Sequence, residues 1–136
     1  MADEVTIKST DILPNGRSTK ITFVKPSSGS TWVTIYKRYD DPVTLANLSD
    51  SDTLRVFNER VDGWPDNTLT FIDYEDFRDK TGNTKLMRQG VWHYGMLNAY
   101  PTAGVTSALT TFTITLDEYR AIWILPTDCK SLIVSG

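Results

Sequence analysis

One cysteine and one histidine among 136 residues leave little from which to build metal or thiol chemistry. Zinc normally takes about four ligands, mostly nitrogen and sulfur, and Cys129 with His93 cannot supply that set. A lone cysteine forms no internal disulfide, which suits a reducing compartment. Positive charge is also scarce: 14 Lys and Arg against 17 Asp and Glu give a net charge of -3. Binding to a duplex needs a basic stripe that displaces counterions from phosphates. Here the closest approaches are the isolated pairs Lys20 with Lys25 and Lys37 with Arg38, so nucleic acid is not an expected partner. No apolar run approaches the roughly 20 residues that cross a bilayer as a helix. The opening MADEVTIKST has neither the basic start nor the apolar core of a signal peptide. Synthesis in a cytoplasm, without membrane insertion, is the expectation.

What the chain does contain is turn chemistry at short intervals. Pro14-Asn15-Gly16, Pro26-Ser27-Ser28-Gly29, Asp40-Asp41-Pro42, Asp62 to Asn67, Thr81-Gly82-Asn83 and Pro101 to Gly104 separate strand-sized segments. Asn-Gly suits the positive φ of a tight hairpin, which predicts antiparallel pairing of residues 5–13 with 20–25. Residues 108–116 alternate, with Phe112, Ile114 and Leu116 on one face and Thr111, Thr113 and Thr115 on the other. In residues 31–39, Val33 and Ile35 are expected in the core, with Trp32, Thr34 and Tyr36 opposite. Further strands are predicted at 68–73, 85–94, 120–125 and 131–135. Residues 51–63 begin with capping residues, space Leu54, Phe57 and Val61 at helical intervals and end at glycine, which predicts a short helix, although Thr, Val and Phe there favour a strand almost equally. Residues 74–80 read as one helical turn or an acidic loop. The pattern as a whole predicts a mainly β chain forming a single-domain antiparallel β-sandwich or barrel over residues 1–136, with at most one or two short helices.

Each candidate chemistry has a plainer reading beside it. A dyad of His93 and Cys129 would need the two in hydrogen-bond reach with the thiolate in an electropositive setting. Asp128 works against that, Lys130 for it, and no nucleophile motif surrounds either residue. A packed thiol and a partly exposed strand histidine are the simpler expectation. Asp73, Glu75, Asp76 and Asp79 cluster in sequence and Asp50 with Asp52 forms an Asp-x-Asp pair, yet neither follows a calcium loop, and clustered acids usually sit in solvated loops. Glu59, Glu75, Asp117 and Glu118 offer carboxylates for glycoside hydrolysis, but nothing singles out a pair. Gly90 and Gly95 lack the lysine of a phosphate-binding loop. The Thr111, Thr113, Thr115 row resembles one strand of an ice-binding array; a working array repeats over several strands, so it reads as the wet side of a sheet. No enzyme activity, cofactor or metal is expected.

Aromatic residues carry the stronger functional signal. Trp32 and Tyr36 share a strand face, Trp64 lies in a Gly-Trp-Pro turn, and Trp92 and Tyr94 flank His93; burying Trp92 with Tyr94 would leave His93 outside. Trp32, Tyr36, Trp64 and Tyr100 are the candidate partner contacts. Alternatively, Trp64, Trp92 and Tyr94 form a stacking platform for carbohydrate.

In the acidic MADEV start, the threonine-rich LTTFTITL strand, the NG and PSSGS turns and the lack of catalytic motifs, the whole chain resembles small β-rich components of tailed-bacteriophage particles, such as capsid decoration or cement proteins and tail accessory proteins. That resemblance implies a homo-oligomer or a subunit bound to viral capsid or tail proteins. It further implies reinforcement of a shell through protein contacts, without a cofactor, after synthesis in a host cytoplasm and incorporation into a virion.

Overall fold

The computed structural model describes residues 5–14, 16–26, 32–74, 87–100 and 105–116. Within them two antiparallel sheets face each other as a β-sandwich, and neither closes into a barrel.

The smaller sheet grows from the predicted hairpin. Strands β1 (Thr6–Ile12) and β2 (Thr19–Val24) pair from Ile12 with Thr19 to Thr6 with Val24, with a register shift between Ile7 and Ser9. Gly16 takes φ 70° in the connection, a conformation that costs glycine little because it has no Cβ. On the other side of β2 lies β5 (Thr68–Asp73), in the order β1-β2-β5.

The larger sheet is centred on β3 (Trp32–Tyr39) and β6 (Gly90–Tyr100), paired from Trp32 with Ala99 to Tyr39 with Trp92. β4 (Leu54–Arg60) flanks β3, while β8 (Thr110–Leu116) and the short β7 (Val105–Thr106) share the far side of β6. One 3-10 turn, Leu45–Asn47, interrupts the β3–β4 connection; the Asn47 side chain accepts from the Thr44 N–H at 2.8 Å and donates to the Pro42 carbonyl at 2.9 Å.

Alternation decides what the sandwich encloses. Ile21 and Phe23 of β2 and Leu69 of β5 meet Val33, Ile35, Trp92, Tyr94, Met96, Ile114 and Leu116 of the larger sheet. Ring contacts cross the gap: Phe57 of β4 stands edge-on to Phe23 at 6.1 Å and to Trp64 at 6.2 Å, and tilts against Phe71 at 5.3 Å. Such pairs contribute about 0.5–1.5 kcal/mol each beyond buried area.

Two expectations change. Residues 51–63 form no helix; Leu54–Arg60 are strand β4, at the edge of the larger sheet among the described residues. Pairing with β3, with Val56 in a register shift, turns Phe57 into the aromatic cluster, and that cross-strand contact outweighs the local helical spacing. The strand expected at 85–94 starts at Gly90 and continues to Tyr100. Its start follows from Gly90 at φ 129°, a conformation almost closed to other residues, and its length from pairing with all of β3. The predicted strands at 120–125 and 131–135, and residues 75–80 of the acidic segment, lie outside the described residues.

Candidate functional site: a sealed ionic cluster and an aromatic outer face

Strand parity sends one charge from each sheet into the core. On β3 the inward row is Val33, Ile35, Lys37; on β5 it is Leu69, Phe71, Asp73. The Lys37 Nζ donates to Asp73 Oδ2 at 2.9 Å and to Oδ1 at 3.1 Å, with 0% and 2% of the two side chains exposed. This ion pair joins the two sheets. Tyr94 of β6 donates its phenolic hydrogen to Asp73 Oδ2, which leaves the Thr19 hydroxyl, 3.2 Å away, to donate to the Tyr94 oxygen. The Lys37 Nζ also lies 4.6 Å from the centroid of the Trp92 ring, whose π face attracts the cation. Phe112 of β8 stacks on Tyr94 with centroids 5.0 Å apart and planes 2° from parallel.

Burial pushes the Tyr94 phenol well above its usual value, and the Asp73 carboxylate adds to the rise by Coulombic repulsion and hydrogen bonding. A raised folded-state value means that the folded chain holds this proton more tightly than the unfolded chain. The resulting stabilisation is complete below a pH of about 10, where unfolded tyrosine remains protonated, and is lost as the pH rises beyond it. Alkaline denaturation series should therefore show wild-type stability falling by up to about 1.4 kcal/mol per pH unit above that point. Tyr94→Phe should lack this component; an identical alkaline slope in the variant would assign it to another group.

The outward row of β3 is Trp32, Thr34, Tyr36 and Arg38. Cross-strand partners on β4 place Arg60 beside Trp32, Asn58 beside Thr34 and Arg55 beside Tyr36. The Thr34 hydroxyl donates to Asn58 Oδ1 at 2.9 Å, which fixes that pair on the outer face. The Arg60 guanidinium is held by Asp62 through two hydrogen bonds at 2.8 and 3.1 Å. Trp32 and Tyr36 are half-buried, whereas Arg55 and Arg60 are exposed. Farther along, Arg38 bonds Asp41 at 2.7 Å, Asp50 at 3.3 Å and the Thr53 hydroxyl at 2.7 Å, pinning the β3–β4 connection onto the sheet. A Cβ on Gly95 would lie 2.7 Å from Val43 Cγ1, so this glycine lets the connection approach closely. Between Val43 and β8 an open groove of about 110 Å³ is lined by Pro42, His93, Thr111 and Thr113.

The candidate contacts thus separate. Trp32 and Tyr36 come together on the outer face of the larger sheet, while Trp64 is half-buried against Phe57 with its carbonyl accepting from Lys25. Tyr100 ends β6, and its side chain lies outside the described residues. Trp92 and Tyr94 are fully buried, so the carbohydrate platform of Trp64, Trp92 and Tyr94 does not form. His93 is partly exposed, as their burial requires; Cys129 lies outside the described residues. Asp73 leaves the acidic surface group altogether for the ion pair with Lys37, and Asp50 binds Arg38. Of the glycosidase carboxylates only Glu59 is described, exposed on edge strand β4.

Sequence reasoning missed Lys37 and Asp73 as core residues, although both continue an apolar period-2 row. It also passed over Arg55 and Arg60, and the outward Ile72 and Tyr74 of the β5 segment, 47% and 49% exposed. Among the described residues no group of three or more His, Cys, Asp or Glu is placed to hold a metal ion, and no helix is long and apolar enough to cross a membrane.

The fold and these two features define an antiparallel β-sandwich with a charged core and an aromatic-cationic face. No family model, curated protein or solved structure matches the chain.

Proposed function

We propose that the protein is a non-enzymatic assembly component that acts through protein–protein contacts on the outer face of its larger sheet. The carrying observation is the placement of Trp32 and Tyr36 on one strand face, with Arg60 and Arg55 opposite them on β4. Trp, Tyr and Arg dominate binding hot spots because each offers broad apolar or planar contact, and Arg adds directed hydrogen bonds. Fixed on a sheet, these side chains lose little conformational freedom when a partner docks. The resemblance to decoration, cement and tail accessory proteins of phage particles makes a viral shell or tail subunit, or a second copy of the chain, the partner class.

Association is tested by sedimentation and light scattering over a broad concentration range, alone and with candidate shell proteins. Trp32→Ala with Tyr36→Ala should weaken association by about 30-fold or more, the effect of losing at least 2 kcal/mol at a hot spot. Their melting temperatures should change much less. A strictly monomeric chain that binds no shell protein would remove this reading. Quenched tryptophan emission with a glycan panel would replace it with carbohydrate binding.

A further inference from the structure

We propose that Lys37 and Asp73 condense into an intramolecular amide, a covalent staple between the two sheets. This inference does not rest on the assembly reading, because it concerns the interior of the folded chain.

Three observations carry it. First, the Lys37 Nζ lies 2.9 and 3.1 Å from the two oxygens of Asp73, a fixed approach of amine to carboxyl from strands β3 and β5. Holding reacting groups in contact replaces the encounter that makes the reaction slow in solution. Second, both side chains are sealed, at 0% and 2% exposure. Water normally opposes amide formation by solvating the ammonium and the carboxylate and by hydrolysing the product; a dry core weakens both effects. Third, the Tyr94 hydroxyl already donates to Asp73 Oδ2 and is itself supported by Thr19. A fixed donor at that oxygen stabilises the negative charge that develops when nitrogen attacks the carboxyl carbon.

The step balances without an oxidant, cofactor or activating group. Proton transfer within the pair gives amine and carboxylic acid. The Lys37 Nζ–Asp73 Cγ bond forms, one Cγ–O bond breaks, and the departing oxygen leaves as water with two hydrogens that began on the lysine ammonium. Trp92 opposes the first proton transfer, since its ring at 4.6 Å favours the ammonium. It weighs against the product as well as slowing the step, because the amide, once formed, carries no charge for the ring to attract; the loss is that of a desolvated cation–π contact.

The product ties residues 36 positions apart and prevents the sheets from separating as independent layers. Such a bond suits a chain that must resist mechanical or thermal opening.

The test is peptide mapping of the folded full-length chain by mass spectrometry, sampled over time after refolding. The expected result is a branched tryptic peptide joining the Lys37 and Asp73 segments, lighter than their sum by one water, with no cleavage after Lys37. Lys37→Arg keeps the cation but should give no branched peptide. Tyr94→Phe should slow its appearance by about a hundredfold, the usual effect of removing one oxyanion donor. Separate peptides with complete cleavage after Lys37, from folded protein at the longest time, would overturn the proposal. An unchanged rate in Tyr94→Phe would overturn the role given to Tyr94.

Discussion

Asp73→Ala should destabilise the chain by about 3–5 kcal/mol, because it leaves the Lys37 cation without its carboxylate inside a dry core. At about 4 °C per kcal/mol for a domain of this size, the melting temperature should fall by roughly 12–20 °C. The contact with the Trp92 ring offsets only part of this, since a desolvated cation–π contact contributes about 2 kcal/mol. Adding Lys37→Met to Asp73→Ala removes the buried cation and should restore part of the loss. The double variant is therefore expected to be more stable than Asp73→Ala in urea titrations. This sign holds whether the wild-type pair is ionic or joined as an amide, because the comparison is between two variants that can form no amide, one keeping the buried Lys37 ammonium and the other lacking it. A double variant less stable than Asp73→Ala would place the cost in lost packing instead.

Gly90→Ala should cost about 2–6 kcal/mol through two separate effects. Gly90 has φ 129°, so any L side chain there strains the backbone by about 1–3 kcal/mol. Its Cβ would also overlap the Tyr39 hydroxyl oxygen and lie 2.8 Å from two ring carbons. Tyr39 cannot readily yield: its hydroxyl donates to the Gln89 carbonyl at 2.6 Å, its ring stands edge-on to Trp92 at 5.0 Å, and the Arg88 guanidinium covers it at 3.7 Å. Forcing extra volume into such a site costs about a further 1–3 kcal/mol. Gly63→Ala is the internal control, since a Cβ there meets nothing within 4 Å. It should stay within about 0.5 kcal/mol of wild type. Equal unfolding midpoints for the two variants would show that Gly90 is not fixed as described.

Much of the architecture was legible because period-2 alternation is a local property. Asn15-Gly16 marked the first hairpin, Phe112, Ile114 and Leu116 marked the inner face of β8, and the limits of β5 were read directly. The helical spacing of Leu54, Phe57 and Val61 misled because Phe57 gains its contacts from Phe23, Phe71 and Trp64, all distant in sequence. The candidate face was legible in part: parity put Trp32 and Tyr36 together, but Arg60 and Arg55 join them only through the β3–β4 register. Charge at Lys37 and Asp73 read as surface, because isolated Lys and Asp are seldom buried.

By itself the sequence determined a β chain with strands of known parity, a single histidine and a single cysteine, and aromatic residues on chosen faces. Tertiary structure alone decided that two sheets face each other instead of closing into a barrel, and that Lys37 meets Asp73 between them. The reason is physical: alternation is imposed by each strand's own backbone, whereas the partner of a buried charge depends on which strands from distant parts of the chain come to lie opposite it.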